Sequence, residues 1–166
     1  MSKTKTQGKT APPPLEVRPL VMRTISEIVE KRGCVAVTDM PFYVGSSTFN
    51  KTAAYMGLKP YVGSIVIWCK DGASPLGHPH LRPILEALDK FLSMHRGSGV
   101  LLYKYKIEKA VGMSFKLRDM SLALSQLAIE AGCLKIDGGN SNAFNSWLCP
   151  TDKTKELVRK YLGAHE

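Results

Sequence analysis

The chain has 166 residues, the size of one ordinary domain or two very small ones. Hydrophobic residues make up 44% of it, enough for a packed core, which excludes a wholly disordered chain. Lys and Arg number 23 against 14 Asp and Glu, a formal charge of +9 that favours a polyanionic partner, most often nucleic acid.

The excess is spread along the chain and is densest in the first residues. Residues 1–14 carry Lys3, Lys5 and Lys9 with no acid, and Pro12, Pro13 and Pro14 close the segment. With no large apolar residue beyond Met1, it reads as a disordered basic tail with a short stiff spacer. The tail lacks the apolar stretch of a secretory signal. The longest apolar run, Ile65-Val66-Ile67-Trp68-Cys69, is strand-sized, so no membrane partner is expected. Four cysteines are too sparse for a disulfide scaffold. The expectation is a soluble intracellular protein (nucleoid, nucleus or cytoplasm) with reduced thiols.

In chain order, Pro19 can occupy the first turn of a helix, followed by Val21, Met22, Ile25, Ile28 and Val29 at helical spacing and a stop at Gly33. Residues 34–37 read as a short strand and 39–47 as a loop. Thr48 to Met56 reads as a short helix capped by Ser46 or Ser47. Tyr61 to Lys70, rich in β-branched and aromatic residues, reads as one strand. Residues 71–79 concentrate Gly, Pro and Ser and form the best internal boundary.

Pro83 then opens a second helix with Ile84, Leu85, Leu88, Phe91, Leu92 and His95 on one face. A short apolar run at 101–103 follows, then a short helix from Lys106 to Val111 ended by Gly112. Ser114 is the expected N-cap of a long helix that Gly132 terminates at Ala131. Residues 133–137 and 143–149 read as two strands around the turn Gly138-Gly139-Asn140-Ser141-Asn142. Pro150 and Thr151 introduce a last helix with Leu157, Val158 and Leu162 on one face. Both halves begin with a helix, a basic residue, a Gly and an apolar strand-like run. That is the pattern of a degenerate repeat, although helix–Gly–strand is also a common arrangement.

The order helix, short strand, short helix, long helix, hairpin over residues 80–149 resembles the winged-helix (winged helix-turn-helix) family. The local match is SFKLRDMSLALSQLAIEAGCLKIDGGNSNAFNSWL, with the trailing helix resembling one that many such domains carry. Composition and element order predict an α+β chain with a disordered basic tail at 1–14 and a smaller helix/strand unit at 15–72, and the resemblance implies a winged-helix-like domain at 80–166. It implies DNA binding in most members, with RNA binding or protein docking in others, and fold alone does not choose.

On the long helix, Leu117, Met120, Leu124, Leu127, Ala128 and Ala131 form the expected core stripe. Ser114, Arg118, Ser121 and Ser125 lie roughly opposite, a small polar face with one Arg that suits a groove. Leu122 and Ile129 share that face, so a homodimer or protein partner through them is the competing use. Lys116, Lys135 and the tail lysines are positioned for phosphates, as are backbone amides at the turn with Asn140 and Asn142. Lys104, Lys106 and Lys109 interleave with Tyr103 and Tyr105, a basic–aromatic pattern found in nucleic-acid contacts.

Enzyme readings rank lower. No cysteine pair forms C-x-x-C, and His78 and His80 have no carboxylate within five residues. G-x-S-x-G, H-E-x-x-H and the phosphate-cradling G-x-x-x-x-G-K-[ST] are absent. The expectation is a non-enzymatic nucleic-acid binder without metal or cofactor, DNA favoured over RNA. A structural RNA-binding nucleoprotein, of ribosomal or capsid type, and a protein-docking module are the alternatives.

Overall fold

The computed structural model describes residues 18–136 and 146–163. Lys3, Lys5, Lys9, Asn140 and Asn142 therefore lie outside the described residues. The chain is α+β, and the described residues form six α-helices and two small three-stranded antiparallel sheets. It divides into two compact units between Pro75 and Leu76.

In the first unit, α1 (Pro19–Arg32) carries Pro at its start, where the missing N–H costs nothing. It ends at Gly33, whose φ of 86° is the left-handed region that glycine tolerates. A Cβ at Gly33 would also stand 3.0 Å from that of Ala73. The strand expected at 34–37 stops after two residues, β1 (Cys34–Val35). The Asp39 carboxylate accepts the Ala36 N–H at 2.8 Å and curls Val37–Asp39 into a 3-10 turn instead. α2 (Ser46–Tyr55) begins earlier than expected, with Gly45 at the N-cap, so Ser46 and Ser47 lie inside the helix rather than capping it.

The single strand expected at 61–70 is a hairpin, β2 (Lys59–Val62) and β3 (Val66–Cys69). The Gly63 N–H donates to the Ile65 carbonyl at 2.9 Å, folding the run back on itself. Strand order is β1-β3-β2. One face of the sheet, with Val35 and Trp68, joins Val21, Ile25 and Val29 of α1 and Phe49 and Ala53 of α2 in a buried core. The Trp68 indole donates to the Asn50 side-chain oxygen at 2.9 Å, so the one polar atom of that ring is satisfied from α2.

The second unit opens with α3 (Arg82–Ser93) and continues through β4 (Gly99–Leu102), α4 (Lys104–Val111) and α5 (Leu117–Ala131). It closes with β5 (Leu134–Ile136), β6 (Ser146–Pro150) and α6 (Thr151–Gly163). Strand order is β4-β6-β5, with Leu148 of β6 standing between Leu101 and Leu134. α3 buries Ile84, Leu85, Leu88, Phe91 and Leu92, the face read from the sequence. His95 lies just beyond that helix, its Nε2 bonded to the Gly99 carbonyl at 2.8 Å across the turn into β4. The Arg82 guanidinium donates to the Leu162 carbonyl at 2.9 Å, so the start of α3 caps the end of α6.

Both units thus run helix, strand, short helical turn or helix, helix, strand, strand. In each, the last strand lies between the other two.

All four cysteines are paired, Cys34 with Cys69 and Cys133 with Cys149. This corrects the expectation of reduced thiols. Strand register supplies the reason: Cys34 stands opposite Cys69 across β1 and β3. Leu134 stands opposite Leu148, which sets the preceding Cys133 beside Cys149. Such pairs persist in oxidising surroundings or in the disulfide-rich interiors of hyperthermophiles. Among the described residues, no helix is long and apolar enough to cross a membrane.

Candidate nucleic-acid interface

α5 buries Met120, Ala123, Leu124, Leu127, Ala128 and Ala131. Leu117, expected in this stripe, is instead 43% exposed, because it is the first helical residue and stands beyond the edge of the core. Asp119, also in the first turn, is buried, and its carboxylate lies 3.1 Å from His80 Nε2. A carboxylate there also suits the positive end of the helix dipole. The backbone N–H of His80 donates to His78 Nδ1 at 3.0 Å, which fixes the chain at His80. The two histidines therefore anchor the start of α5. Among the described residues, no group of three or more His, Cys, Asp or Glu side chains could hold a metal ion.

The opposite face of α5 carries Arg118 and Ser121 exposed and Ser125 half-buried. Leu122 is half-buried and Ile129 is 72% exposed on the same side. The structure brings these residues together on one helix face, polar toward its start and apolar toward its end.

Ser114 is exposed but does not cap α5. Lys116 holds the N-cap position, in extended backbone (φ −64°, ψ 138°), and the helix starts one residue later. Between them the Phe115 N–H donates to Glu108 Oε2 at 2.9 Å, so a carboxylate from α4 satisfies an amide of the turn.

Lys104 needs correction. It was expected among the phosphate-binding bases, yet its side chain is buried and its Nζ lies 2.8 Å from Glu108 Oε2. The cause is helical phase: α4 begins at Lys104, not at Lys106. Lys104 then shares its inner face with Ile107, Glu108 and Val111, three, four and seven residues on. Lys106 and Lys109 fall on the exposed side.

Lys106, Lys109, Lys116, Arg118 and Lys135 are exposed and make no ion pair among the described residues. Other bases are engaged: Arg82 with Glu86 at 3.3 Å and Arg159 with Asp89 at 3.4 Å. On α6, Lys153 and Lys160 are exposed and Lys155 half-buried.

Reading the sequence for faces missed one feature. An open pocket of about 320 Å³ lies at the α4–α5 turn, lined by Tyr105, Glu108, Lys109, Gly112, Met113 and Ser114. Tyr105 and Met113 are 48% and 50% exposed, so apolar surface sits among the unpaired cations. The i,i+4 spacing of Lys104 and Glu108 was the signal available for the buried pair beneath it.

No protein-family model, curated protein or solved structure matches the chain. The arrangement must be read from its own chemistry. Unpaired ammonium and guanidinium groups around the start of one helix can bind several anionic oxygens at once. The small side chains of Ser121 and Ser125 leave room for close approach to a groove.

Proposed function

We propose that this is a non-enzymatic nucleic-acid-binding protein whose second unit acts as a winged-helix-like module on double-stranded DNA. One observation carries the reading. Among the described residues of this unit, four of the cations that make no ion pair, Lys106, Lys109, Lys116 and Arg118, belong to α4, the turn and the start of α5; Lys90, Arg96, Lys135 and the lysines of α6 are the others. In this reading Arg118 donates to base edges, Ser121 and Ser125 contact bases or phosphates, and the lysines bind phosphates. Lys135 on β5 supplies a further phosphate contact from the hairpin. The Lys-rich tail adds affinity without sequence preference. The protein works where nucleic acid meets conditions that preserve its two disulfides.

The experiment is duplex binding over a salt series, with Arg118→Ala beside the unaltered chain. The expected result is affinity that falls steeply with salt and a relaxed sequence preference in the variant. Unchanged affinity and preference in Arg118→Ala would overturn the assignment of α5. Tight binding to single-stranded or structured RNA in place of duplex would move the reading to the nucleoprotein class.

A second reading is favoured by the exposure of Ile129, which is 72% on the same face. In it, Leu122 and Ile129 bind a protein partner or a second copy. Leu122→Asp then abolishes assembly while the fold persists, and a variant that assembles normally removes the reading.

A further inference from the structure

Each unit carries one disulfide that joins a cysteine just after a helix-ending glycine to the central strand, from the first strand's side in one unit and from the second strand's side in the other. Gly33 ends α1 and Cys34 follows it; Gly132, with a left-handed φ of 72°, ends α5 and Cys133 follows it. Both of these cysteines are bonded to the central strand of their sheet, at Cys69 in β3 and Cys149 in β6.

The second bond lies at the end of α5 away from Arg118, next to the strand that carries Lys135. The Cys133 N–H donates to the Ala128 carbonyl at 2.9 Å, so the residue bearing the sulfur also closes the last turn of α5. The next residue begins β5, whose Leu134, Lys135 and Ile136 are all exposed and pair only with β6. Three exposed residues at a sheet edge bury little and form a weak ladder. One covalent bond therefore fixes both the end of α5 and the strand that carries Lys135. Cys149 is buried and Cys133 is half-buried, so the Cys133 side is the more open to a reductant.

We propose that Cys133–Cys149 is a redox switch on the interface. Oxidised, it holds α5 and β5 in binding geometry; reduced, it releases β5 and weakens nucleic-acid binding. The affinity part rests on the function proposed above; the release of β5 does not. A thiolate of a dithiol reductant attacks the Cys133 sulfur, forming a mixed disulfide and expelling the Cys149 thiolate, which takes up a proton. The reductant's second thiolate then attacks its own sulfur in the mixed disulfide and expels the Cys133 thiolate, which is protonated in turn. The dithiol ends as a disulfide, and two electrons have passed to the protein.

The test uses the full chain, air-oxidised or reduced with dithiothreitol, read by hydrogen exchange and by duplex affinity. Reduction is expected to raise exchange over residues 131–136 by at least about tenfold while leaving α3 and α6 protected. Duplex affinity should fall with it. The double variant Cys133→Ser with Cys149→Ser should behave as the reduced chain under both conditions, and Cys34→Ser with Cys69→Ser should keep the response. Four outcomes overturn the proposal: no Cys133–Cys149 bond in the oxidised chain, unchanged exchange over 131–136, loss of protection across the whole unit, or unchanged affinity despite released β5. If the oxidised chain binds no nucleic acid, the proposed function fails and the exchange data alone decide whether β5 is released.

Discussion

Glu108 binds Lys104 one turn back along α4, with Nζ 2.8 Å from Oε2 and 2.9 Å from Oε1. The two side chains are only 9% and 10% exposed. The same carboxylate accepts the Phe115 N–H, so it ties α4 to the turn that leads into α5. A base that looks available in the sequence is thereby spent on holding the candidate interface together.

Removing one partner of such a pair leaves a charge buried without compensation, which costs about 3–5 kcal/mol. Glu108→Ala should approach that loss, because it also strips the Phe115 N–H of its acceptor. Lys104→Met should cost less, since the carboxylate keeps that amide. Replacing both with apolar residues, Lys104→Met with Glu108→Leu, should recover much of the loss of Glu108→Ala. Urea unfolding of the full chain measures all three, and a Glu108→Ala variant as stable as the unaltered chain would contradict the pair's role.

The same pair separates two lysines that look alike in the sequence. Lys116 is exposed and unpaired among the described residues, whereas Lys104 faces Glu108. Lys116→Ala should weaken duplex binding evenly across sequences and reduce the salt slope by about 1. Lys104→Met should leave the slope unchanged in the folded protein. Equal slopes for the two variants would mean that Lys116 contacts no phosphate.

Much of the second unit was legible because its signals are local. The apolar spacing of α3, the stop at Gly132 and the buried stripe of α5 all follow from neighbours within a turn or two. What failed depended on phase or on distant partners. Lys104 reads as an outer residue because the sequence signals place the start of α4 two residues late, which turns an inner residue outward. The β2–β3 hairpin reads as one strand because Gly63 and Ser64 sit inside an otherwise continuous apolar run. Neither disulfide was legible, since the pairing depends on strand registers that join residues 35 and 16 positions apart. His80 drew notice for its neighbour His78, yet its partner is Asp119, on another element.

Gly33 and Gly132 both end helices at positive φ but differ in surroundings. An alanine at Gly132 meets nothing within 4 Å, so it should cost only the left-handed strain, about 1–2 kcal/mol. An alanine at Gly33 adds a contact of 3.0 Å with Ala73, so its loss should be larger. Thermal or urea unfolding of Gly33→Ala and Gly132→Ala compares them, and equal losses would show that the backbone near Ala73 yields freely.

Trp68 is 8% exposed and its indole N–H depends on Asn50 of α2. Asn50→Ala leaves that donor without an acceptor, a loss of about 1–3 kcal/mol from the first unit. Asn50→Asp keeps an oxygen at the same reach and should retain most of the stability. The chain has two tryptophans, so Trp147→Phe makes Trp68 the sole tryptophan, and excitation selective for indole lets fluorescence follow the first unit alone. In that background Asn50→Ala should lower the urea midpoint read by Trp68 and shift its emission, while Asn50→Asp should do neither to the same degree. If Asn50→Ala leaves both the midpoint and the emission where they were, the hydrogen bond does not hold α2 to the sheet.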